Sequence, residues 1–237
     1  MKKGGKIAII IGVIVLIIAI AGGYFFINDQ TQKAKIMEEF SQIEELTKSG
    51  DFNMDALNEK TSTIVATGKY GTVEKAAKNY ASDLFNTAYE IRTVLEDEKL
   101  AKLLTASNYK EDGPEFTETK KYLSETKQKL EDGKTQMLSY LEEGKINSYI
   151  EAETKDAYSI ELYRQLLRED IEISDKEKNE LEQSIEKVQS MLKIEEEVID
   201  FLIENKDQWR IQGDQILFNS NSLVVKYNGF LTKLRIL

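Results

Sequence analysis

The chain has no cysteine and no histidine in 237 residues, and only one proline. Without cysteine there is no disulfide, no thiol nucleophile and no lipid-modified cysteine, so stability must come from packing. Without histidine the usual general base and the commonest zinc ligand are missing. The Ser-His-Asp triad and the Glu-x-x-His di-iron motif go with it. One proline and 13 glycines describe long helices joined by few turns. No glycine-rich phosphate loop, dinucleotide fingerprint or internal repeat is present, and no low-complexity linker beyond the acidic patch Glu195-Glu196-Glu197.

Charge is absent from residues 7–27, IAIIIGVIVLIIAIAGGYFFI, which directly follow Lys2, Lys3 and Lys6. A helix over that run spans about 31 Å at ~1.5 Å per residue, matching the ~30 Å hydrocarbon core of a bilayer. The lysines precede the run, so the positive-inside rule keeps residues 1–6 in the cytoplasm and sends residues 28–237 to the far side. The rival expectation is a secretory signal cleaved after Ala21, since Ala19-Ile20-Ala21 has the small-x-small pattern. The apolar stretch continues through Tyr24, Phe25, Phe26 and Ile27, beyond what a signal requires, and this favours the anchor. Ala8/Gly12 and Ala19/Gly23 are small pairs four apart, common in membrane helices.

Three of the 32 basic residues precede the run, so residues 28–237 hold 29 against 42 acids, a net charge of −13. That sign argues against nucleic acid and against lying flat on an anionic lipid surface. Lysine exceeds arginine 27 to 5, a bias associated with AT-rich bacterial genomes.

Apolar spacing of three and four places helices over about 29–48 (Ile36, Phe40, Ile43, Leu46), 53–67, 73–106, 115–143, 144–169 and 175–204. In 73–106 the seam is Val73, Ala77, Tyr80, Leu84, Ala88, Ile91 and Leu95, with Thr72 expected as N-cap. Phe116, Leu123, Leu130 and Met137 recur at sevens, broken by Thr119, Thr126 and Gly133, as in an imperfect coiled coil. Pro114 is expected in the first turn of that helix. Ser174 and Glu177 fit a capping box, opening a seam of Leu181, Ile185, Val188, Leu192, Ile199 and Leu202. Glu195 falls on that seam, where a rim position is the expectation and a buried functional acid the alternative. Leu84, Ile91, Leu123, Leu130, Ile185, Val188 and Leu192 are expected to be buried.

Past Glu204 the period changes to two. Gly213-Asp214 between Trp209–Gln212 and Gln215–Phe218 predicts a hairpin pairing Trp209 with Phe218 and Ile211 with Ile216. Its apolar face should be covered by Tyr227, Phe230 and Leu234 of a final amphipathic helix, with Arg210 and Leu217 on the other side. Trp209, the single tryptophan, is read as packing for this subdomain.

Chemistry is thinly marked. Asp51, Asn53 and Asp55 have the opening spacing of an EF-hand calcium loop, but Ala56 replaces its glycine and Ser62 its bidentate glutamate. Turn and capping work is the expectation there. Ser-x-x-Lys occurs at Ser107/Lys110, Ser124/Lys127, Ser184/Lys187 and Ser190/Lys193, as chance allows with 14 serines and 27 lysines. The 42 acids mark out no carboxylate pair.

The fold expected is mainly α. A single N-terminal transmembrane helix (7–27) leads into an elongated antiparallel bundle (28–205), then a β-hairpin and amphipathic helix (206–237). No catalytic, cofactor-binding or metal-binding residue is assigned and no cofactor is expected. The function expected is that of an envelope interaction, spacer or assembly module. Its partners would be the bilayer and an envelope protein, with a homo-oligomer left open. The competing expectations are a carboxylate- or Ser/Lys-dependent hydrolase and a ligand-binding sensor ectodomain working with a membrane partner.

Overall fold

The computed structural model describes residues 30–48, 53–168 and 175–237. The apolar run 7–27, Asp51 and Ser174 lie outside the described residues. Among the described residues, no helix is long and apolar enough to cross a membrane.

The chain is mainly helical, with a small hairpin and a helix at its C-terminal end. The helices are α1 (Gln30–Lys48), α2 (Met54–Ser62), α3 (Gly68–Glu96), α4 (Glu98–Lys102) and α5 (Ala106–Glu111). They continue as α6 (Thr117–Ser139), α7 (Glu143–Glu153), α8 (Ala157–Arg168) and α9 (Asp175–Glu204). Strands β1 (Trp209–Gln212) and β2 (Gln215–Phe218) precede α10 (Asn221–Ile236).

Helix α3 is the spine. Its seam is buried from Val73 to Leu95, and α2, α6, α7 and α8 all pack against it. Helix α6 follows the sevenfold pattern. Phe116, Leu123, Leu130 and Met137 are each 0–1 % exposed, and Thr119 and Thr126 are buried between them. At the remaining seam position, Gly133, α6 comes close to α3. A Cβ there would lie 2.7 Å from Ile91 Cγ1. Because Ile91 is itself held in the core, Gly133→Ala should cost about 1–3 kcal/mol by overpacking. Thermal melts of the variant would register this directly. All seven residues expected in the core are buried.

Several helix boundaries differ from expectation, and three of the breaks have a local polar reason. The single helix expected over 73–106 starts at Gly68 and stops at Asp97, whose side chain accepts from the Lys99 amide at 2.8 Å and starts α4. Thr72 therefore lies inside α3 and is not its cap. Thr105 caps α5 in the same way. The helix expected over 144–169 divides because Asp156 Oδ2 accepts from the Ser159 amide and hydroxyl at 2.9 and 2.8 Å. Short polar side chains compete with the helix for its own amides, and here they win. Helix α2 ends at Ser62, earlier than expected. Pro114 sits in the turn before α6, and Asp112 caps that helix by accepting from the Glu118 and Thr119 amides.

The hairpin has the expected register, Trp209 opposite Phe218 and Ile211 opposite Ile216, with Gly213 at φ +62° in the turn. Trp209, Ile211, Ile216 and Phe218 are half-buried against the core and Arg210 is exposed, whereas Leu217 is half-buried too. The cover is shared between two elements. Tyr227 of α10 packs on Phe218, with ring centroids 5.3 Å apart, while Phe116 stacks on Trp209 at 6.0 Å. Phe230 reaches Phe201 of α9 at 5.7 Å.

Candidate functional site

A buried charge network lies where α1, α2, α3 and residues 63–67 meet. Lys78 is fully buried. Its Nζ lies 2.7 Å from Glu74 Oε1, 3.0 Å from Glu39 Oε2 and 2.6 Å from the Thr63 carbonyl oxygen. An ammonium has three protons, and three acceptors surround this one. Glu74, also fully buried, accepts from the Val65 and Ala66 amides at 3.0 and 2.7 Å. Lys60 closes the set, 3.3 Å from Glu39 Oε1. Two acids balance two bases, which is how charge survives burial. These groups are spent on one another and on the backbone, so the network joins elements and offers no reactive group.

Burial alone would raise the Glu39 carboxyl. Hydrogen bonds and charge from Lys78, then Lys60, outweigh that and hold it below its usual 4.5. A carboxyl with a depressed folded pKa stabilises the fold above the unfolded pKa, and that contribution is lost as pH falls through the folded value. Thermal stability should therefore decline below pH 4.5. Glu39→Gln should lower the neutral-pH plateau and shallow the acid limb of the melting-temperature profile.

The second feature is an open polar cleft of about 390 Å³ between α3 and α7. Asn79, Ser82 and Asp83 face Lys145, Ser148 and Tyr149 across it, and Glu153 closes one end with an ion pair to Lys75 at 2.8 Å. The Tyr149 hydroxyl donates to Asp83. Burial, reinforced by Asp83, raises the Tyr149 phenol, which stays protonated. The Lys145 ammonium stands over the Tyr140 and Tyr149 rings at 5.5 and 5.4 Å, and the Ser148 hydroxyl bonds back to the Lys145 carbonyl. Donors and acceptors are thus displayed along two helices, which suits hydrogen bonding to a polar chain. The Ser148 hydroxyl is spent on the backbone, and the Tyr149 phenol stays protonated beside Asp83.

The third is an aromatic hub. Gly113 lets Trp209 settle against the α5–α6 turn, since a Cβ there would strike the Tyr109 carbonyl oxygen and lie 3.0 Å from the indole. Trp209 Nε1 donates to the Leu202 carbonyl at 2.8 Å, and the Tyr109 and Tyr227 hydroxyls meet at 2.9 Å. This is packing with every polar tip matched.

Of the residues singled out by sequence, Asn53 caps α2 by accepting from the Ala56 amide at 3.1 Å, and Asp55 is exposed. Among the described residues, no group of three or more acids could hold a metal ion. Ser107 donates to Glu111 and Lys127 pairs with Glu196, so neither motif forms a Ser/Lys dyad. Glu195 departs from expectation. It is 3 % exposed, with Oε2 shut from solvent, and its charge adds to the burial that raises the Tyr109 and Tyr122 phenols. The Lys78 network was missed altogether. Its one sequence signal is Glu74 and Lys78, four apart, beside the apolar seam.

No family model, curated protein or solved structure matches this chain.

Proposed function

We propose that this chain is a single-pass membrane protein. Residues 7–27 cross the bilayer, the N-terminus is cytoplasmic, and the extracytoplasmic helical body serves as an interaction or spacer module without catalysis. One observation carries the reading. Ile36, nine residues beyond Ile27, is already fully buried, and Glu39 three residues later is tied to Lys60 and Lys78. Packing that starts nine residues after the apolar run supports close mounting on an anchor formed by that run. Nine residues span only about 14 Å as helix. The matched polar interior and the polar cleft suit contact with another macromolecule better than turnover of a small molecule.

The test is membrane extraction with protease protection. The chain should resist alkaline carbonate, keep residues before Ala21 in its mature form, and expose residues 28–237 to protease added outside intact cells. A mature chain beginning at Gly22 in the soluble exported fraction would refute the anchor.

A further inference from the structure

Helices α1, α3 and α8 all rise from one end of the body. Gln32 of α1 accepts from the Thr67 amide at 3.1 Å and donates to its hydroxyl at 3.3 Å, just ahead of Gly68 where α3 starts. Lys69 pairs with Asp156 at 3.0 Å, just ahead of Ala157 where α8 starts, and its ammonium lies 5.3 Å from the Tyr158 ring centre. Glu39 on Lys78 keeps α1 parallel to α3. Tyr149 on Asp83 and Glu153 on Lys75 bring α7 down toward this end, and α8 turns back up beside it with Arg164 on Asn147.

This end differs in chemistry from the rest. Ile64, which lies against Gly71, is 39 % exposed and Tyr158 45 %, two of the five large hydrophobic side chains exposed among the described residues. Residues 28–37, 63–71 and 154–160 hold Lys33, Lys35, Lys69 and Lys155 against Asp29 and Asp156, leaving 25 bases against 40 acids in the remainder of 28–237. Glu74 is buried and Glu153 is paired with Lys75. Among the described residues of α1, α7 and α8, the next exposed acids, Glu38, Glu151 and Glu161, stand about a turn or more further from this end. A phenol, an aliphatic side chain and long-stemmed lysines are the set that favours a membrane–water interface. Height agrees. Five residues separate Ile27 from Gln32, about 8 Å as helix and at most about 18 Å extended. The headgroup layer takes up about 5–8 Å of that.

We propose that this end of the body seats on the surface of the membrane that residues 7–27 cross, with Ile64 and Tyr158 at headgroup level. Lys69 is held by Asp156, so Lys35 and Lys155 are the lysines offered to lipid phosphates. The proposal rests on the anchored reading. The tether keeps the end beside the headgroups, so a contact too weak to recruit a free domain is enough to orient this one. The acidity of the remainder opposes lying flat, and attraction at one end only stands α3 upright. The polar cleft is then presented at a fixed height, since Asn79 and Asp83 lie about 17 and 23 Å from Gly68 along the helix.

A chain without cysteine lets one introduced thiol carry a label free of background. Ala157→Cys, exposed beside Tyr158, reports the seat, and Tyr89→Cys, exposed on α3 about 30 Å beyond Lys69, reports the far end. Each full chain is labelled with bimane and reconstituted in mixed phosphatidylcholine and phosphatidylglycerol vesicles containing lipid with a nitroxide on its headgroup. The Ala157→Cys label should be quenched and the Tyr89→Cys label should not. Adding Ile64→Ser with Tyr158→Ser should lower the quenching at Ala157→Cys at least about twofold, at unchanged melting temperature because both side chains face solvent. Lys35→Glu with Lys155→Glu should lower it in these vesicles and not in pure phosphatidylcholine, which decides the matter even if the serine variant misfolds. Equal quenching at the two labels, or none at Ala157→Cys in a chain that floats with the vesicles, overturns the seat. Quenching at Ala157→Cys that ignores both variants also overturns it, since the tether alone then sets the distance. A chain that does not float with the vesicles refutes the anchored reading and the seat with it, so flotation tells the two failures apart.

Discussion

Replacing Lys78 by alanine should destabilise the protein by about 3–5 kcal/mol, the largest loss expected from any one charged residue. The ammonium is the only partner in its network that touches both Glu74 and Glu39, at 2.7 and 3.0 Å. Removing it leaves two carboxylates close together, one fully buried, with Lys60 reaching only Glu39. Lys78→Met should be the milder change of the two, since its chain fills the same space. Paired with Glu74→Gln it should recover part of the loss, because the uncompensated charge then disappears. Denaturant unfolding of the single and double variants measures both effects. A single-variant loss under 1 kcal/mol would mean that solvent reaches the network.

The second large effect is expected at Phe116. Its ring is fully buried, stacks on Trp209 and meets Tyr109 edge-on with centroids 5.6 Å apart. Phe116→Ala should cost about 3–5 kcal/mol, the usual range for emptying an aromatic site in a core. The residue also holds φ +51°, a conformation that disfavours any side chain. Phe116→Gly should therefore be less damaging than its further loss of bulk implies, at or slightly better than the alanine variant. Trp209 fluorescence reports the same event, since the indole loses its stacking partner. If alanine and glycine differ by more than the lost methyl predicts, the backbone carries more of the cost than the ring.

Much of the architecture was legible because hydrophobic period is a strong signal. The sevenfold repeat of α6, the seams of α3 and α9 and the period-two hairpin with its Gly-Asp turn all correspond to elements in place. The broken helices share one cause. Asp97, Thr105 and Asp156 break helices through side-chain bonds to nearby amides, and their apolar surroundings do not mark those positions. Residue type alone gave no sign of the buried Glu74–Lys78 pair and misled at Glu195. An acid or lysine beside a seam is usually solvated, and whether it is buried depends on what covers it. For Lys78 the cover is α1 and the 63–67 segment, brought from 15 to 39 positions away. Glu195 stands in reach of the charge effects on Tyr109 and Tyr122, from helices far upstream in sequence. Local pattern holds no record of such neighbours.

The pairing of Tyr109 with Tyr227 spans 118 residues. The α5–α6 turn is complete early in the chain, yet its aromatic pocket stays unfilled until Trp209 and then Tyr227 exist. On a growing chain the helices through α9 can assemble in order of synthesis, while that pocket waits for the final thirty residues. The C-terminal hairpin and helix thus act as a closing stopper. A chain released short of Tyr227 would carry its longest helices intact and an open aromatic mouth between them, a signature that quality-control proteases and holdases can read.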